Sequence, residues 1–181
     1  ALANADRLHP RGAGLRSFAL NLSGASIEDQ GLADYILGCI AEHGVEARRV
    51  CLEITETVAV RNLRRVVPVI ERLRAAGCRI ALDDFGAGMS SFGYLKNLPL
   101  DIIKIDGSFI RDLETDPLSG IIVSAIAQIG HQRGLRVVAE WVDDPRMLAG
   151  LRERGVDLAQ GFAMHRPERV VFQRTGAPPV R

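Results

Sequence analysis

Net charge, aromatic bulk, long apolar runs and paired cysteines are all scarce in this chain. Its 23 basic and 22 acidic residues leave a formal charge of +1, so nothing biases the 181 residues toward nucleic acid, and DNA is not an expected partner. No apolar run approaches the roughly 20 residues that cross a bilayer. Ala1-Leu2-Ala3-Asn4 lacks a signal-peptide pattern, and a cytoplasmic location with no membrane segment is expected. Cys39, Cys51 and Cys78 show no C-x-x-C spacing and fall inside apolar patterns. They read as buried thiols, which excludes a disulfide framework and a zinc site. With 47% apolar residues, the chain is expected to form one globular domain.

What the sequence does have is a repeated pairing of short apolar runs with acidic or amide ends. The runs are Phe18–Asn21, Val50–Glu53, Arg79–Asp84, Ile102–Asp106, Arg136–Glu140 and Val156–Gln160. Helical periodicity fills the intervals. Leu32, Tyr35, Ile36, Cys39 and Ile40 form one apolar stripe after a Ser26 N-cap and before Gly44. Val66, Val67, Ile70 and Leu73 form a second that stops at Gly77, with Pro68 marking a late start or a kink. Pro117 opens a third, through Ile121, Ile122, Ala125, Ile126 and Ile129 to Gly134. Asp143-Asp144-Pro145 starts a fourth, through Leu148 and Leu151 to Gly155, and a helical turn is expected over Tyr94 to Asn97.

Strands alternating with helices predict βαβ units and a parallel sheet. A doubly wound sheet gathers its ligand at one switch point, whereas a closed (β/α)8 TIM-like barrel brings all its strand ends to one site. Every strand here ends in a polar residue, which favours the barrel, with about six of the eight βα units present and the missing ones at the N-terminus. Alternation places Ala19, Asn21 and Ser23 on one face, as it does Cys51, Glu53 and Thr55, Ala81 and Asp83, Ile102 and Lys104, and Val138 and Glu140. This inward set is polar and the intervening set is large and apolar. Asn21, Glu53, Asp83, Asp84 and Glu140 around one point need cations or raised pKa values, and oxygen donors favour Mg²⁺, Mn²⁺ or Ca²⁺ over zinc. Lys104 adds an ammonium able to hold a water or a phosphate oxygen. Singly, a residue such as Asp106 or Gln160 reads more simply as a cap or hydrogen-bond partner. Gly86, Gly88, Ser90 and Ser91 form a small-residue loop over the strand ends, which suggests a flap.

Asn21-Leu22-Ser23, Glu53-Ile54-Thr55-Glu56, Asp83 through Ser91, Tyr94-Leu95-Lys96, Lys104-Ile105-Asp106, Val138-Ala139-Glu140 and Gln160-Gly161-Phe162 resemble, in order and spacing, the EAL-domain cyclic-di-GMP phosphodiesterases of bacteria. The resemblance implies a modified (β/α)8 barrel of EAL type that hydrolyses cyclic di-GMP to linear pGpG with Mg²⁺ or Mn²⁺, with Ca²⁺ inhibitory. It implies Asn21, Glu53, Asp83, Asp84 and Glu140 as metal ligands, Glu140 alternatively being the general base. Lys104 and Gln160 then act on water or substrate. Glu56 steadies a flap that includes Asp84, Phe85, Gly86, Ser90 and Ser91. A homodimer and an upstream sensory or cyclase-like domain also go with the resemblance.

The resemblance divides the chain into a helix remnant and connector (1–16), a partial EAL barrel (17–168) and a tail (169–181). Its naming Glu-Ala-Leu motif is expected on a strand before residue 1, and hydrolysis by this chain alone is expected to be weak or absent. Trp141 stands where the family usually has Gly, Asp143 where it has Glu, and Ala87 and Met89 where Thr and an aromatic are usual. An indole there either stacks on a guanine or packs at the mouth. The alternative function is a degenerate, non-catalytic module that binds cyclic di-GMP or a protein partner. An enolase-type barrel also fits a Lys with carboxylates but explains none of the ordered motifs.

Overall fold

The computed structural model describes residues 17–88 and 92–167. Six strands run in parallel and in sequential order: β1 (Phe18–Asn21), β2 (Val50–Thr55), β3 (Arg79–Phe85), β4 (Ile102–Ile105), β5 (Arg136–Ala139) and β6 (Leu158–Ala159). They curl into the wall of a half-barrel. On the helix side, Val50, Leu52, Ile54, Ile80, Leu82, Ile103, Ile105, Val137 and Ala139 are buried, the apolar half of the predicted alternation. On the concave side, Ala19, Cys51, Glu53, Ile102, Lys104, Val138 and Gln160 line a trough of about 420 Å³. A strand covered on both faces keeps its polar residues only where partners meet them, and here they meet in the lumen.

The helices are α1 (Gly24–Ile27), α2 (Leu32–Glu42), α3 (Glu56–Arg61), α4 (Leu63–Ala75), α5 (Gly107–Arg111), α6 (Pro117–Gln132) and α7 (Met147–Glu153). The expected turn forms as a 3₁₀ helix over Phe92–Asn97. Several helical expectations need correction. Ser26 does not cap α2; it lies in α1, where its N–H donates to the capping Ser23 hydroxyl at 3.1 Å. Pro68 marks no late start, because α4 begins five residues earlier. Helix α7 starts at Met147 rather than beside Asp143, with the Asp144 carboxylate turned onto the Arg146 N–H.

Two apolar faces are rotated from their predicted positions. In α2 the core takes Ala33, Ile36 and Ile40, leaving Tyr35 71% exposed. In α6 it takes Val123, Ile126, Ala127 and Gly130, leaving Ile121 65% exposed. Small residues decide the second case. A Cβ at Gly130 would stand 2.7 Å from Val137 Cγ2, so the glycine lets α6 lie directly on β5. Among the thiols, Cys51 and Cys78 are buried and Cys39 is partly exposed.

At the opposite end of the strands from the polar cluster, Asp101 ties three elements together. Its carboxylate accepts from Arg74 Nε and Nη2 of α4 at 3.0 and 2.7 Å and from the Ile80 N–H at 2.9 Å. Asp101→Ala strands a partly buried guanidinium and a strand-starting N–H. It is expected to cost about 1–3 kcal/mol of stability, read as a lower urea midpoint at unchanged m-value.

Candidate active site at the strand ends

Lys104 is the hub of the C-terminal face. It is 4% exposed, and its Nζ lies 2.7 Å from Asp83 Oδ1, 2.8 Å from Glu140 Oε1 and 3.1 Å from Glu53 Oε2. Strand parity puts all four side chains in the lumen. Burial works against the ammonium, but the bonds to Asp83 and Glu140 and the Glu140 and Glu53 charges outweigh it and hold its pKa above the ordinary lysine value. Glu140 shows the opposite balance. Its burial outweighs the pull of Lys104, and with Asp83 and Asp84 adding negative charge its carboxyl is pushed up to about 7.

Asp84 follows Asp83 directly, and in a regular strand the two carboxylates would face opposite ways. The backbone avoids this. The β3–β4 register shifts between Leu82 and Phe85, and Asp84 takes a left-handed conformation (φ 53°) that Asp tolerates better than most residues. Oxygens of Asp83, Asp84 and Glu140 then lie within 4.8 Å of one another. Burial, followed by the charges of Asp83 and Asp106, raises the Asp84 pKa. A compact, oxygen-only donor set of this kind suits a hard divalent cation.

The remaining candidates fall into two neighbouring groups. Asn21 is exposed at the end of β1, in register with Glu53 of β2. Gln160 lines the trough, and its backbone bonds Ala139 and Val142 across the β5 side. Glu56 stands apart from the Lys104 cluster. Its buried carboxylate accepts from the Gly86 N–H at 3.0 Å and from the Tyr94 hydroxyl at 2.7 Å, and it presses on Gly88, where a Cβ would meet Oε2 at 3.2 Å. Phe85 is buried in the core and tilts against Phe92 at 5.7 Å, so it anchors the loop instead of facing solvent. Ser90, Ser91, residues 1–16 and the tail 169–181 lie outside the described residues. Asp106 caps α5, accepting from the Ser108 N–H at 2.9 Å.

Sequence reasoning gave Tyr94 no role. Its partner lies 38 residues away, and a lone tyrosine in a helical turn carries no signal for such a bond. Burial and the Glu56 bond raise its pKa. Cys51 lies beside Glu53 in the trough, with burial pushing its thiol up to about 11.

The EAL domain family model matches residues 1–167. The chain belongs to the EAL domain family. The cyclic di-GMP phosphodiesterase PdeB of Shewanella oneidensis is 38% identical over 150 residues, 83% of this chain and 18% of that protein. The EAL chain spans about a fifth of the length of the curated relatives it matches. Among solved structures, the PaMucR phosphodiesterase in complex with c-di-GMP superposes with a TM-score of 0.79 at 38% identity, covering 83% of this chain and 61% of that one. Klebsiella pneumoniae BlrP1, in a calcium and cyclic-di-GMP complex, gives 0.77 at 30% identity, covering 82% and 38%. The fold of the EAL chain is thus that of TIM-barrel EAL domains. The family is metal-dependent, in keeping with the acidic cluster. No helix among the described residues is long and apolar enough to cross a membrane.

Two outcomes follow from the cluster. Lys104→Met removes the cation from between three carboxylates and is expected to cost about 3–5 kcal/mol in chelator, with part of the loss recovered by a divalent cation in thermal unfolding. Glu140 ionises near 4.5 when unfolded and near 7 when folded, so the native state holds the extra proton between those values. The metal-free protein should therefore lose stability through this group as pH rises across that window, and Glu140→Gln should flatten that limb of a urea-midpoint profile.

Proposed function

We propose that the chain forms the catalytic part of a cyclic-di-GMP phosphodiesterase, cutting one phosphodiester of cyclic di-GMP to give linear pGpG. The observation that carries this reading is the meeting of Asp83, Asp84 and Glu140 oxygens within 4.8 Å beside the buried Lys104 ammonium, in a chain of the EAL family. Asp83, Asp84 and Glu140 would hold divalent cations of the Mg²⁺ or Mn²⁺ class, with Asn21 and Glu53 completing the donor set from β1 and β2. Such ions, when bound, neutralise phosphoryl oxygens and acidify a water.

The chain's own residues supply the rest. Lys104, held at 2.7–3.1 Å from three carboxylates, keeps a fixed positive charge where phosphate negative charge must enter. Glu140, 2.8 Å from Lys104, serves alternatively as the base that takes a proton from the attacking water instead of holding a cation. Gln160 offers an amide at the trough for orienting water or substrate. Glu56 holds the start of the flap through Gly86, and this keeps Asp84 in its left-handed turn. Free thiols at Cys39, Cys51 and Cys78 suit work in the reducing cytoplasm. A homodimer and an upstream sensory or cyclase-like domain belong to the same proposal.

A second reading, a receptor that binds cyclic di-GMP without cutting it, draws on the indole at position 141, beside Glu140. Calorimetric titration with cyclic di-GMP in Ca²⁺, followed by exchange into Mg²⁺ or Mn²⁺ and chromatography for pGpG, separates the two. Binding followed by slow release of pGpG, far below the turnover of a full-length EAL protein, is expected. Glu140→Gln should lower turnover by about 10²–10⁴-fold while cyclic di-GMP still binds. Binding with no pGpG in either ion, both by this chain and by a longer one that carries a Glu-Ala-Leu strand, would instead establish the receptor.

A further inference from the structure

Trp141, the sole tryptophan, has a placement next to Glu140 that the reaction does not explain. It directly follows Glu140 and takes a left-handed backbone conformation (φ 55°), which disfavours any side chain and a bulky one most. The indole lies along α5. A Cβ at Gly107 would stand 2.3 Å from Trp141 Cγ, and the Arg111 guanidinium sits 4.5 Å from the ring centroid. Gly107 and Arg111 are four residues apart and so share one face of α5. Both contacts thus come from α5, and Trp141 remains 53% exposed.

Packing accounts for the covered side only. A smaller apolar residue could cover α5 without setting an aromatic surface in water at the rim of a site for a dinucleotide. The Arg111 contact also fixes the ring before any ligand arrives, so little rotamer entropy remains to be lost on stacking.

Resting on the phosphodiesterase reading of the site, we propose that Trp141 is a specificity-determining platform whose open face stacks on one purine base of the cyclic dinucleotide. Glu140 and Trp141 are consecutive, so a ligand whose phosphodiester lies at the Lys104 cluster has a base within reach of the rim. The sugar–phosphate ring stays with the carboxylates, and the base selects.

Because Trp141 is the only tryptophan, its emission reports on this face alone. Cyclic di-GMP is titrated into the protein in Ca²⁺, with heat and tryptophan emission recorded in parallel. Quenching that saturates at the calorimetric midpoint is the expected result. Heat with unchanged emission overturns the platform and leaves the phosphodiesterase reading standing, whereas absence of heat overturns both. Trp141→Gly removes the ring and relieves the backbone, so it should unfold at the same or a higher temperature while binding about 5- to 100-fold more weakly. Trp141→Phe should restore most of that affinity. Equal affinity in the Gly variant and the unaltered protein would overturn the proposal.

Discussion

The fold depends on the Lys104 ammonium standing between Glu53, Asp83 and Glu140. A parallel sheet covered by helices on one side and curled on itself on the other has no place for three carboxylates unless a cation answers them. Lys104 comes from β4, Asp83 from β3, Glu53 from β2 and the Glu140 position from the end of β5, so one side chain joins four consecutive strands at their C-terminal ends. The strand register and the charge cluster are thus a single constraint. A slip of one residue in β4 would turn Lys104 into the helix layer and Ile105 into the lumen, leaving the acids without their counter-charge.

The opposite ends of the strands are secured by a device that occurs twice. Asp101, just before β4, accepts the first ladder N–H of β3, that of Ile80, and holds Arg74 of the helix leading into β3. Asp157, just before β6, accepts the Val137 N–H of β5 at 2.7 Å and faces His131 of the helix leading into β5 at 3.1 Å. In each case one carboxylate fastens a strand to the preceding helix and to the next strand. Acids at the C-terminal ends gather around one buried ammonium, whereas acids at the N-terminal ends satisfy backbone N–H groups, the asymmetry expected of a βα barrel.

Much of this was legible in the residue order. The period-two alternation separated lumen from helix layer in β2 to β5, and the polar strand ends marked the face on which they would converge. The illegible parts are those in which tertiary contact overrides a local pattern. Tyr35 and Ile121 belong to apolar stripes by spacing, yet both face solvent: α2 buries Ala33, Ile36 and Ile40 instead, and α6 turns so that Gly130 lies directly on β5. Asp101 looks like an ordinary loop acid and Asp157 like a member of the Val156–Gln160 run, since their partners lie 20 to 27 residues away. The left-handed turn at Asp84 departs from the very alternation that located Asp83.

That turn connects the flap to the charge cluster. Asp84 joins Asp83 and Glu140 only because the chain reverses its twist there, and Gly86, two residues on, is fixed by its N–H to Glu56. The same carboxylate holds Tyr94 at the far end of the loop. Residues flanking the loop on both sides are therefore tied to one buried group at the start of α3, outside the lumen, while the loop's first carboxylate faces into it. Glu56 thus fixes the backbone two residues beyond Asp84, at the point where the chain leaves the cluster.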